Sequence, residues 1–170
     1  MLELFDIMRI FFGKGGPVLL GIFFVSLLMW ILIIERYWFL YRIYPTKLDH
    51  ITRQWQRRYE HDSWFAYKIR EGLLIDLSIE LKRNLIPIKT LTVILPLLGL
   101  LGTVTGMIAI FDVLNVFGTS NARGMAEGIS RALLPTTAGL VTSIIGIYLS
   151  SDLEKRARTH ELLAKDHLIH

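Results

Sequence analysis

Thr90 to Phe111 reads TLTVILPLLGLLGTVTGMIAIF, 22 residues without a charge, held between Lys89 and Asp112. About 20 apolar residues in a helix are enough to cross a bilayer, so this stretch predicts a membrane span. Two more stretches have the same character. Pro17–Ile34 is uncharged over 18 residues and ends at Glu35-Arg36; Ala132–Ser151 is uncharged over 20 and lies between Arg131 and Asp152. A single such run also suits a buried core helix. Three in 170 residues, with mean hydropathy +0.45, predict a three-span membrane protein.

The rest of the composition agrees. Hydrophobic residues make up 52% and charged residues only 20%, and the charges bunch between the spans. That apolar content excludes disorder. The absence of cysteine excludes a disulfide scaffold and a cysteine-based zinc or redox site. Once the spans are removed, no soluble piece is large enough for a sizeable catalytic domain. No H-E-x-x-H, G-x-S-x-G or Walker loop occurs, and the five histidines, His50, His61, His160, His167 and His170, lack metal spacing. No enzyme activity, cofactor or metal site is expected.

Charge sets the orientation. Lys and Arg number eleven in the loop 35–89 and four in the tail 152–170, against two in the leader 1–16 and two in the loop 112–131. Positive residues favour the cytoplasmic side. The loop 35–89 and the C-terminus are therefore expected inside, and the leader and the loop 112–131 outside. The basic pI of about 9.5 then reflects topology rather than nucleic-acid binding. The leader has no positive bias and no A-x-A site follows the first apolar run, so that span is expected to be retained. Leu4, Ile7, Met8 and Phe11 in the leader have helical spacing, broken by Gly13, Gly15, Gly16 and Pro17. This fits an amphipathic helix on the outer membrane face or a frayed extension of the first span.

The loop 35–89 reads as helical. Breaks are expected near Tyr44-Pro45-Thr46, with Thr46 as cap, and around His61-Asp62-Ser63. Helices packed together there are expected to bury Trp55, Tyr59, Phe65, Tyr67 and Leu74. The interleaved charges form a solvated face or a partner site. Tyr37, Trp38, Phe39 and Tyr41 sit where an aromatic belt would lie.

The first span is bulky throughout, as a lipid-facing helix would be. The other two carry stripes of small and hydroxyl residues. Thr92, Pro96, Gly99, Thr103 and Gly106 recur at helical steps, with Leu98, Leu101 and Ile108 left for lipid; Ala132, Thr136, Gly139, Ser143 and Ser150 do the same in the third span. Such stripes serve close helix packing, a polar lumen, or both. Pro96 and Pro135 deprive the carbonyls of Thr92 and Arg131 of their usual donors, and in a bilayer those carbonyls need another partner. No span contains Asp, Glu, His, Lys or Arg. A proton relay normally needs a titratable group in the membrane, and threonine supplies none. Any ionisable group must come from another subunit.

The run Leu97-Leu98-Gly99-Leu100-Leu101-Gly102-Thr103-Val104-Thr105-Gly106-Met107 resembles a signature of the ExbB/TolQ/MotA proton-channel family, as does Gly128 to Leu140. The short leader with Gly15-Gly16-Pro17, the Ile34-Glu35-Arg36 exit and the large first loop are similar to short-form ExbB. The resemblance implies an all-α fold of three transmembrane helices with cytoplasmic extensions, assembled as a pentameric ring in the inner membrane. It implies an ExbD-like single-span partner whose membrane Asp carries the proton, and a TonB-like transducer that energises outer-membrane uptake of siderophore-iron, haem or cobalamin. Thr103 and Thr136 carry over as lumen threonines, with Thr105, Thr137 and Ser143 as weaker candidates. Arg131 stands where ExbB sequences often have Glu; it cannot shuttle protons and would contact the partner or lipid phosphate. A TolQ-like role in envelope integrity shares the same machinery. A MotA-like stator has four spans and a larger cytoplasmic part.

Overall fold

A computed structural model describes the backbone of residues 2–57, 59, 63–117 and 122–167, and side chains within 16–57, 59, 63–115 and 124–166. Among them every regular element is helical. The order is α1 (Leu2–Trp38), a π-helical turn (Phe39–Ile43), α2 (Tyr44–Gln56), α3 (Trp64–Lys82), α4 (Leu85–Phe117) and α5 (Ala122–His167). Three stretches are long and apolar enough to cross a membrane, within Gly16–Gln56, Trp64–Asn115 and Gly124–Asp166. Each apolar run continues as helix into charged sequence.

Within α1 the helical backbone breaks at Gly16, which adopts φ 67° and ψ −171°. Only glycine takes that conformation readily, and Pro17 then starts a new helix with its preset φ. The amphipathic face expected of residues 1–15 concerns side chains outside those described.

The chain divides into two compact units, Met1–Trp30 with Lys89–Ile147, and Ile31–Ile88 with Tyr148–His170. In the first, Leu19, Ile22 and Met29 of α1 are buried with Thr92, Leu95 and Ile110 of α4 and Ala132 and Ser143 of α5. The stripes of α4 and α5 face each other. A Cβ on Gly139 would stand 2.6 Å from the carbonyl oxygen of Leu95, one on Gly99 2.9 Å from Cα of Thr136, and one on Gly106 2.6 Å from Cβ of Ala132. The missing side chains let the backbones approach that closely, and dispersion contacts then hold them. Leu101 and Ile108 point outward as expected, whereas Leu98 is half-buried.

In the second unit Ile33, Leu40, Tyr44, Leu77, Leu81, Leu153, Ala157 and Ala164 form the interior. Three expectations are corrected here. There is no break at Tyr44-Pro45-Thr46. The helix widens at Phe39–Ile43, where the Tyr44 amide donates to the Phe39 carbonyl five residues back. That wider turn precedes Pro45 and accommodates its ring and missing donor without ending the helix. Thr46 is not a cap: its hydroxyl donates back to the Arg42 carbonyl. Nor is the aromatic set buried together. Trp55 packs on Ala66, with Ile51 and Leu74 alongside, while Tyr59, Phe65 and Tyr67 are exposed. On α3 the inward position is the small Ala66, so Phe65 and Tyr67 flank it and turn outward; one indole fills the space opposite.

Of the second expected break, His61 and Asp62 lie outside the described residues; Ser63 caps α3, its hydroxyl accepting from the Ala66 amide at 3.2 Å. A further break lies at Asn84, the one non-glycine residue with positive φ (62°) among those described. Asparagine tolerates the left-handed region better than most residues. Pro87 sits in the first turn of α4, where its lack of a donor costs little.

Candidate functional site

The α4–α5 pair carries the hydroxyl groups singled out from the sequence, and their surroundings differ. Thr103 is half-exposed and donates to the Leu100 carbonyl at 2.7 Å. Thr136 is half-exposed and donates across to α4, to the Gly99 carbonyl, at 2.7 Å. Thr105 and Thr137 are exposed; the first donates to Leu101 and Gly102 carbonyls and the second to Leu134 at 2.9 Å. Ser143 is buried, 2% exposed, and donates to the Thr92 carbonyl at 2.7 Å. Its hydroxyl lies inside the helix pair rather than at a surface.

That last bond has a specific cause. Pro96 has no amide to offer the Thr92 carbonyl four residues earlier. A carbonyl left bare in an apolar medium is costly, so a donor from elsewhere is favoured. Ser143 supplies the replacement donor from the facing helix.

All five hydroxyls thus commit their proton to a backbone carbonyl. A hydroxyl in that state keeps lone pairs and acts as an acceptor. The exposed or half-exposed ones, Thr103, Thr105, Thr136 and Thr137, can accept a hydrogen bond from water or from a protonated carboxyl. None can release a proton of its own near neutral pH. Arg131 is exposed at the start of this region, and its Nη2 lies 2.7 Å from Oε1 of Glu127 one turn earlier. Its charge is therefore partly answered within the chain. Among the described residues no group of His, Cys, Asp or Glu is arranged to hold a metal ion.

The second unit holds polar clusters that sequence reasoning missed. Tyr37 donates to Oδ2 of Asp152 at 2.7 Å, Arg156 donates to the same oxygen at 2.7 Å, and Arg156 also reaches the Tyr41 hydroxyl at 3.0 Å. The hydrogen bond from Arg156, then that from Tyr37, holds the Asp152 carboxyl below the usual carboxylate range. Arg36 is fully buried, donates to the Glu80 carbonyl near the end of α3 and lies over the Phe39 ring at 4.5 Å. Asn84 donates to Oε2 of Glu35 at 3.0 Å. The Glu35-Arg36 pair thus holds the α3–α4 joint from both sides. The available signal was a pair of opposite charges directly after an apolar run; nothing in their spacing named Glu80 or Asn84 as partners.

These features define a multi-pass helical membrane protein with a hydroxyl-bearing, charge-free helix pair. Residues 44–165 match the MotA/TolQ/ExbB proton channel family, and the chain belongs to that family. It is 43% identical over 63 residues to the biopolymer transport protein ExbB-like 1 of Synechocystis sp., covering 35% of this chain and 25% of that one. It is 42% identical over 66 residues to ExbB-like 3 of the same organism, covering 38% of this chain and 31% of the relative. The matched stretch is thus less than a third of either relative's length. No solved structure matches the chain. The family is one of membrane channels rather than a class of enzymes.

Proposed function

We propose that the chain is an ExbB-like subunit of a proton-driven inner-membrane motor that energises TonB-dependent uptake across the outer membrane. Five copies form a ring around an ExbD-like single-span partner. The partner's membrane Asp carries the proton, and Thr103 and Thr136 hydrate or accept from its carboxyl. The observation that carries this reading is the pairing of accessible hydroxyls with spans empty of ionisable groups. Such a surface can receive a carboxylic acid but cannot replace it. Family membership and the similarity to ExbB-like relatives support the same reading. The charge distribution supports a cytoplasmic loop 35–89 and C-terminus, with the leader on the periplasmic face.

The direct test is co-purification with native mass spectrometry. Pentamers with a bound single-span protein carrying a membrane Asp are expected. Monomers alone, or rings without such a partner, contradict the proposal. Thr136→Ala and Thr103→Val are expected to impair proton-driven uptake in assembled rings, and full activity in both removes the site assignment. A deletion strain with normal iron-limited growth but detergent sensitivity would assign the TolQ-like role instead.

A further inference from the structure

Helix α3 has two apolar faces. One, with Ala66, Leu77 and Leu81, is buried within the chain. The opposite one presents Ile75 at 52% and Ile79 at 62% exposure. Lipid does not explain them, because α3 carries six charged residues in its 19. Asp76 lies between these isoleucines, is exposed, and has no ion-pair partner among the described residues, whereas the other two acids of α3 are paired, Glu71 with Lys68 and Glu80 with Lys47.

The second half of α5 has the complementary face. Leu162 is 56% exposed, and Arg158, one turn before it, is exposed with no ion-pair partner among the described residues. Within one chain α3 and α5 meet through other positions: Lys82 pairs with Glu161 at 2.9 Å, and Leu81 and Ala157 are buried. The two exposed faces are therefore left over after the chain has folded. One offers isoleucines beside an unpaired anion and the other a leucine beside an unpaired cation.

We propose that the Ile75–Ile79 face of α3 docks on the Leu162 face of α5 in a second copy of this chain, with Asp76 opposite Arg158. The contact is heterologous, joining two different patches, and repetition of such a contact closes a ring where the rotation between copies divides a full turn. The inference rests on the ring reading above and extends it to the charged parts of the helices.

The absence of native cysteine allows a clean test on the full chain in membranes. A chain carrying both Ile79→Cys and Leu162→Cys is expected to oxidise to a ladder ending at the ring size, while either single variant forms no dimer. Adding Asp76→Arg or Arg158→Asp is expected to lower the cross-link yield about five-fold, and combining the two to restore it. Rings seen by native mass spectrometry without the ladder overturn this inference and leave the ring reading standing. Monomers alone overturn both. Dimers from Ile79→Cys alone mean a like-to-like contact, and cross-links to a smaller protein mean a partner subunit; each overturns the inference.

Discussion

The two units hold their helices together by different means. In the first, α4 and α5 meet through glycines, Ala132 and hydroxyl-to-carbonyl bonds. In the second, α3 and α5 meet through Leu81 and Ala157 and the Lys82–Glu161 pair, and α1 and α5 through Tyr37, Asp152 and Arg156. Lipid offers no hydrophobic drive for one apolar helix to leave it for another, so close contact and internal bonding must do the work. Where water reaches a helix pair it supplies that drive but screens the ion pairs. One continuous helix, α5, follows both rules along its length.

Glycine substitutions separate the two most sharply. Gly139→Val should weaken the α4–α5 pair by about 3 kcal/mol, because the new side chain meets the Leu95 carbonyl; thermal unfolding in detergent measures it. Gly72→Ala in α3 should instead stabilise by about 0.5–1 kcal/mol, since nothing lies within 4 Å of the added carbon. Equal losses at both sites would break the comparison.

The next effect is at the proline. Ser143→Ala should cost about 1 kcal/mol by leaving the Thr92 carbonyl without its donor. In a Pro96→Ala background the restored amide should reduce that cost. An unchanged cost would show that Ser143 does not serve the carbonyl Pro96 frees.

Asp152→Asn should have a smaller effect, within about 1 kcal/mol for a partly exposed pair. The sign of its pH dependence follows from the lowered carboxyl. Its contribution is present above the unfolded value, about 3.9, and fades as pH falls toward the folded value. The wild-type protein should lose more stability than the variant on acidification. Smallest is Arg131→Ala, which breaks an exposed pair with Glu127 worth about 0.3–0.5 kcal/mol.

Much of the membrane part was legible because its physics is local. Uncharged runs give the three apolar stretches, small residues at helical steps give the packed stripe, and Pro96 gives the freed carbonyl. The same pattern could not divide the stripe between packing and lumen. Ser143 and Thr136 occupy the same face by periodicity, yet one is buried and the other half-exposed. Outside the spans the sequence misled where tertiary choices decide. Pro45 looked like a stop, but a π turn absorbs it. Phe65 and Tyr67 looked like core, but Ala66 holds the inward position. Asn84 gave no periodic signal, since a single left-handed residue leaves the apolar pattern nearly intact.

The central claim is that this chain provides an acceptor surface for a proton it cannot itself carry. Reconstitution in vesicles under a pH gradient tests it most directly. The purified chain alone should pass protons no faster than empty vesicles, and adding the partner should open a flux that an Asp→Asn change in the partner's span closes. A fast, proton-selective flux through the chain by itself would contradict the account.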